Sequence, residues 1–475
     1  MIQPSQQPPS TGVATTPSDE PTLARTLGVG GNVLITLSGI SPASSVFILG
    51  GAALAAYGTG VFLGFALAGL ISILIAFCYA ELASRHPVAG GDYSLVSRTL
   101  GPAAGVAVFV ITLVTLPLIM AVFALGIADY LGIVIAGLDP LWTAVIVTVL
   151  ATFTACLNIR TNAWVTGAFL VIELVALAVL AVLGLLHVER PVADLLSPQA
   201  LDAASGGLAP LGIAGLVVAV TQGIFSFNGY NGAVYFSEET RNARRTVARA
   251  VLYSAAITVV VEIIPLAAII LGAQSLTELF GADLPVEAFL SERAGHTVTV
   301  FILVGVAFAI INAIIVIALQ SGRLLFAAAR DQALPARVAG PLITISASAQ
   351  MPWVATLTMG TLAVAACFVP MTLLLNATGS TLSFSYGFIA LAAIVVRRQT
   401  DGTGYRMPWW PLPPLVALIA IITIFVMAVI DSTQWVSLSI ALGIIASGYL
   451  YYFLYLRRRG AVQLSFFEVT ETREK

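Results

Sequence analysis

The sequence predicts an all-α integral membrane protein of about twelve transmembrane helices, arranged as a five-plus-five inverted repeat with helices 1 and 6 broken. Three observations carry this. Hydrophobic residues make up 59% of the 475-residue chain and charged residues 9%, where soluble domains carry about 25% charged residues. So few charges could not keep a soluble chain of this length wet. Twelve apolar windows follow one another along the chain, and two of them, five apart, are interrupted in mid-segment.

Roughly 20 apolar residues cross a bilayer. Such windows lie near 28–56, 59–83, 103–133, 141–157, 163–187, 211–236, 247–272, 297–320, 353–370, 377–396, 411–430 and 435–456. The first 24 residues are rich in Pro, Ser, Thr and Gln, with no apolar core and no early basic cluster. They are not a secretory signal peptide and read as disordered. The organisation expected is a tail over 1–26, helices 1–5 in 27–190, helices 6–10 in 205–398, helices 11 and 12 in 409–459, and a second tail over 460–475.

Charge supports the count. With this topology all of the 21 Lys and Arg residues except Arg190 and Arg293 fall on one side of the membrane. By the positive-inside rule that side is cytoplasmic and holds both termini, in a multi-pass protein of the cell membrane. The net charge of −2 gives no sign of nucleic acid, and nothing sets an oligomeric state. Cys78, Cys156 and Cys367 lie in apolar segments, and His86, His187 and His296 are scattered. Neither set suits a metal, no nucleotide-binding loop is present, and no cofactor or enzymatic chemistry is expected.

The first window contains SGISPASS (38–45) and the sixth FSFNGYNG (225–232). Pro42 removes a helix donor and its ring clashes with the preceding turn. Ser and Asn offer competing hydrogen bonds, and Gly adds backbone freedom. Five spans apart, the two segments cross in opposite directions, as in an inverted repeat whose broken helices meet near the midplane. Non-helical backbone at that depth must line protein or a water-filled cavity. A break frees amides near Ala43, Ser44 and Ser45, which suit a carboxylate. It also frees carbonyls near Ser38, Gly39 and Ile40, and around Phe225 to Asn228, which suit an ammonium group. The expected substrate site is therefore Gly39, Ile40, Ser41, Ala43, Ser44, Ser45, Phe225, Ser226, Asn228, Gly229 and Asn231, built for a zwitterion.

CYAELASRHPVAGGDYSLVSRTLG (78–101), YFSEETRNARRTVARA (235–250) and SGRLLFAAARDQALP (321–335) occur in this order. Together they resemble the connections after the second, sixth and eighth helices of the amino acid–polyamine–organocation transporters. The resemblance implies the leucine-transporter-type fold and import or exchange of amino acids or related amines. Ala43-Ser44-Ser45 stands where that family has Gly-Ser-Gly, and Asn231 where many members have an acid. Phe225 falls at the position of an aromatic lid.

Two acids lie inside spans, Glu173 in the fifth and Glu262 in the seventh. A charge there costs at least about 2.5–3.5 kcal/mol without a partner or water. The resemblance places Glu173 where sodium-independent relatives carry a lysine. A desolvated carboxyl at that point is suited to carry a proton. Glu262 is expected nearer an outer vestibule. From Phe301 to Leu319 the eighth span has no Ser or Thr, and few oxygens there disfavour a sodium site. Glu81, Glu238 and Glu239 are expected to pair with the Arg241–Arg249 cluster as a gate or scaffold. The expected partners are thus an amino acid or related small amine, protons and the bilayer. The reading favours a secondary amino acid transporter by alternating access, over an amine or polyamine carrier or a non-transporting sensor of the same fold.

Overall fold

The computed structural model describes residues 25–459 apart from 133–134, 136, 158, 203–204, 347–348 and 399–403. Of the predicted tails, 1–26 and 460–475, all but residues 25 and 26 lie outside the described residues. With no water in the hydrocarbon layer, every backbone group must be bonded within its own segment, and the apolar windows accordingly become helices. Among the described residues nine helices are long and apolar enough to cross a membrane, and three shorter apolar ones, Pro140–Ala155, Ile213–Ser226 and Trp353–Ala366, fall between them.

Span 1 is Val29–Tyr57 and span 2 Gly60–Arg85. Spans 3, 4 and 5 are Pro102–Gly132, Pro140–Ala155 and Ile159–Leu186. Span 6 combines Ile213–Ser226 with the short helix Gly232–Tyr235. Span 7 is Ala243–Gly272 and span 8 Pro285–Arg330, kinked at Gly295. Spans 9 to 12 are Trp353–Ala366, Met371–Val395, Leu412–Ile430 and Trp435–Tyr451. Large apolar side chains of spans 11 and 12, such as Ile419 and Leu450, are exposed and form a lipid-facing exterior. Spans 1, 3, 6 and 8 supply most of the interior.

The two outlying arginines serve one helix end. Arg190 donates to the carbonyls of Ile270 and Ala273, and Arg293 to that of Gly272 and to Glu189. All three carbonyls close span 7, where a cation favours the helix dipole.

The opposite, basic end is tied by buried ion pairs. Glu239 holds Arg323 through two hydrogen bonds of 2.6 and 2.8 Å, and the guanidinium lies 4.8 Å from the centre of the Phe236 ring. Glu238 holds Arg330 in the same way and accepts the Ala89 amide. Glu81 joins Arg85 to Arg397. These acids were expected to pair with the Arg241–Arg249 cluster. Glu81 pairs instead with Arg85, one turn along span 2, and with Arg397 just after span 10. Glu238 and Glu239 pair with arginines of span 8, which tertiary packing brings from far along the chain. The amides of Thr26 and Leu27 both donate to the Glu239 carbonyl, so the start of span 1 joins the same belt.

Candidate functional site

Span 1 runs as a helix to Ile40, and Ser41 then takes a left-handed conformation at φ 50°, ψ 74°. Pro42 explains the position, because its ring disfavours the helical region for the residue before it. A short turn over Pro42–Ser44 follows, then a wide helical turn over Ser45–Gly50. The Ser45 amide donates to the Ser41 carbonyl and is not free, contrary to expectation. Ala43 faces the carboxyl of Glu173 with its backbone N–H. Glu173 also accepts from Ser41 Oγ at 3.0 Å, and Ser41 and Ser44 share a 2.6 Å hydroxyl contact. Of the amides expected to receive a substrate carboxylate, that of Ala43 therefore meets a carboxyl of the protein itself and that of Ser45 a carbonyl.

Span 6 stops at Ser226 and resumes at Gly232. Gly229, at φ 120°, has the backbone form that side chains rarely adopt, and a Cβ there would lie 2.8 Å from Ile40 Cγ1. The bare backbone of one break thus rests on the last helical residue of the other. Ser45 Oγ closes the contact by donating to the Ser226 carbonyl at 3.1 Å.

Below this junction, toward the basic end, lies a narrow cavity lined by residues of both breaks. Seven of the eleven sequence-predicted residues line it: Gly39, Ile40, Phe225, Ser226, Asn228, Gly229 and Asn231. Ser41, Ala43, Ser44 and Ser45 do not. Their groups turn toward Glu173 and Ser226, behind the cavity wall. Span 3 adds an apolar side through Ile111, Leu116, Ile119 and Phe123. A second crevice, lined by Val217, Phe384 and Phe425 among others, shares no lining residue with it.

Four functional groups in this region escaped the sequence reading. Gln320, from span 8, is 4% exposed and its Nε2 has no hydrogen-bond partner. It fits because Gly39 and Gly232 flank it: a Cβ at either would come within 3 Å of that nitrogen. Asp92 opens a short helix, Gly91–Leu100, between spans 2 and 3. Its Oδ1 accepts from Asn231 at 3.0 Å and its Oδ2 from Ser385 at 2.8 Å. Burial pushes its carboxyl above the ordinary range, against the pull of the Asn231, Ser385 and Tyr79 hydrogen bonds. The acid absent at 231 is thus present one side chain away. Tyr386 donates to Asn228 Oδ1 at 3.1 Å. Asn312, from span 8, places its amide beside Glu173.

Glu262 does not approach an outer vestibule. It is fully buried, and its Oε2 accepts a 2.6 Å hydrogen bond from Ser226 Oγ. Helical depth was readable from the sequence, but the direction of the side chain around the helix was not.

A bundle of membrane-crossing helices, with a cavity where two of them are broken against each other, defines a multi-span membrane transporter. The chain belongs to the amino acid permease family, whose model matches residues 23–452. Individual relatives are distant. The chloroplastic cationic amino acid transporter 7 of Arabidopsis thaliana is 26% identical over 404 residues, covering 81% of this chain and 65% of that protein. The branched-chain amino acid permease of Bacillus subtilis is 23% identical over 93% of this chain and 95% of its own length. The human large neutral amino acids transporter small subunit 2 is 29% identical over 57% of this chain and 51% of its own.

Proposed function

We infer that the protein is a secondary amino acid carrier that works by alternating access and is coupled to protons through Glu173. The observation that carries this is the cavity at the junction of the two breaks, because broken helices there offer polar backbone to a solute at membrane depth. Ile40 ends a helix, and its carbonyl and those around Phe225–Asn228 suit an ammonium group. The unpartnered Gln320 Nε2 suits the carboxylate, in place of the amides around Ala43 that Glu173 occupies. The relatives named as carriers of cationic, branched-chain and large neutral amino acids support the substrate class. The charge asymmetry supports a cytoplasmic basic end, and with it cytoplasmic termini.

Glu173 is fully buried, and one of its oxygens, Oε1, makes no hydrogen bond of ordinary geometry. An ionised carboxylate there is costly without water or a cation. It is neutral while the cavity is shut and releases its proton when water reaches the break from the cytoplasm. The test is uptake into proteoliposomes. Wild type should accumulate an amino acid under an inward proton gradient without sodium, and Glu173→Gln should keep counterflow exchange but move fewer protons per amino acid and accumulate less. An unchanged proton ratio in the variant, or a sodium requirement in wild type, would sink the coupling assignment.

A further inference from the structure

The coupling described above uses one of the two buried acids that spans 5 and 7 carry to the breaks. We propose that Glu262 is a second proton-binding carboxyl of the transport cycle, joined to the cavity through Ser226 and Ser45 and hydrated through Thr258 and Ser254. The proposal rests on the amino acid carrier reading, but not on the role given to Glu173.

Three observations carry it. The first is the link to the cavity. Ser226, a lining residue, donates to Glu262 Oε2, while Ser45 faces the same carboxyl and donates to the Ser226 carbonyl. A solute or water entering beside Ser226 therefore alters the hydrogen bonds of Glu262 directly. The second is the set of unanswered groups. Glu262 Oε1, Thr258 Oγ1 and Ser254 Oγ are buried and have no hydrogen-bond partner. Buried threonines elsewhere, such as Thr112, Thr115 and Thr148, bond the carbonyl four residues back, and these two hydroxyls do not. Positions 254, 258 and 262 share one helix face at steps of about 6 Å, a gap that one water bridges between two oxygens. Ordered water along this face satisfies all three groups, and the row runs from Glu262 back toward the basic end, where span 7 begins.

The third is charge. Among the described residues, the one charged group that faces Glu262 is Glu173, from span 5; spans 1 and 6 present serine hydroxyls. An ionised Glu262 would have no cation to pair with and a second acid beside it. With the cavity shut it holds a proton. When water reaches Ser226, the O–H bond of the acid breaks, the proton leaves on water, and the Ser226 hydroxyl together with that water holds the carboxylate. A proton from the opposite face restores the acid. Serine-rich segments at both breaks thus serve two separate acids: Ser41 and Ser44 serve Glu173, and Ser45 and Ser226 serve Glu262.

The experiment uses the full chain in proteoliposomes with a trapped pH dye. A screen of labelled amino acids first finds one that wild type accumulates. Protons moved per amino acid should then fall about twofold in Glu262→Gln, and coupling should vanish in the double variant with Glu173→Gln. Thr258→Val should slow proton-driven uptake at least threefold and spare counterflow. An unchanged proton ratio in Glu262→Gln overturns the proposal, as does equal loss of counterflow and coupling in a folded variant. If Glu262→Gln does not fold, Thr258→Val decides: unchanged proton-driven uptake overturns the proposal. A loss confined to Glu262→Gln, with Glu173→Gln behaving as wild type, upholds this assignment and refutes the one for Glu173.

Discussion

Gln320→Leu separates a ligand donor from a packing residue. The leucine keeps nearly the same volume between Gly39 and Gly232, where the glutamine side chain is tightly held. It removes the carboxamide, including an Nε2 that is buried and has no partner in the protein. A hydrogen bond from that donor to a charged carboxylate contributes roughly 1.5–3 kcal/mol. Its loss should raise the Kd for an amino acid roughly 10- to 150-fold, since each 1.4 kcal/mol is a factor of ten. Stability should move the other way: an unanswered buried donor costs about 1–3 kcal/mol, and the leucine abolishes that cost. Equilibrium binding to purified protein and the thermal unfolding midpoint measure the two. Weaker binding with an unchanged or higher midpoint is expected. An unchanged Kd would refute the placement of the substrate carboxylate, and a lowered midpoint would show that Gln320 is a structural bond.

Gly229→Ala places a methyl group against Ile40 on a backbone at φ 120°; it should destabilise the protein by about 1–3 kcal/mol, and a wild-type melting curve would refute the tight junction of the breaks. Phe225→Ala opens the wall just before the span 6 break. It should lower transport more than equilibrium binding, and equal losses would mark the ring as plain lining. Glu238 is buried, which raises its carboxyl pKa, but the Arg330 hydrogen bond and charge, the Ala89 amide and the Arg98 charge outweigh this and hold it below 4.5. A lowered carboxyl adds stability above its unfolded value that is lost as pH falls through the folded one. The midpoint should therefore drop on acidification below about pH 4.5, and Glu238→Gln, lower by about 3 kcal/mol at neutral pH, should lose that part of the slope.

The spans were legible because a bilayer demands about 20 apolar residues, and the breaks because Pro42 and Gly229 contradict a helix locally. The connections were not. Gly91–Leu100 is a half-polar helix that reads as a loop, so Asp92 was passed over although it directly follows two glycines. Gln320 fell at the edge of its apolar window, whereas span 8 continues to Arg330. The partners of Glu238 and Glu239 lie 92 and 84 residues away, beyond any local pattern.

The occupied break bears on how an empty carrier returns. A broken helix leaves amides that cost about 1–3 kcal/mol each if nothing meets them in a dry interior. If only substrate could meet them, the empty protein would be penalised in every closed state, and reorientation would require cargo, as in an obligate exchanger. Here Ala43 and Ser41 face Glu173, so the break carries its own carboxyl. On the proposed reading the empty carrier can close and return without substrate, provided that the acid is neutral in transit. Net uptake should therefore exceed exchange-limited transport when no amino acid is loaded inside the vesicles. Glu173→Ala removes the internal carboxyl and strands those groups. It should leave a carrier that moves amino acid in only when amino acid is present on both sides, whereas Glu173→Gln, with a carbonyl still facing Ala43, should return empty. Equal net uptake by Glu173→Ala and wild type would show that Glu173 does not satisfy the break during the return.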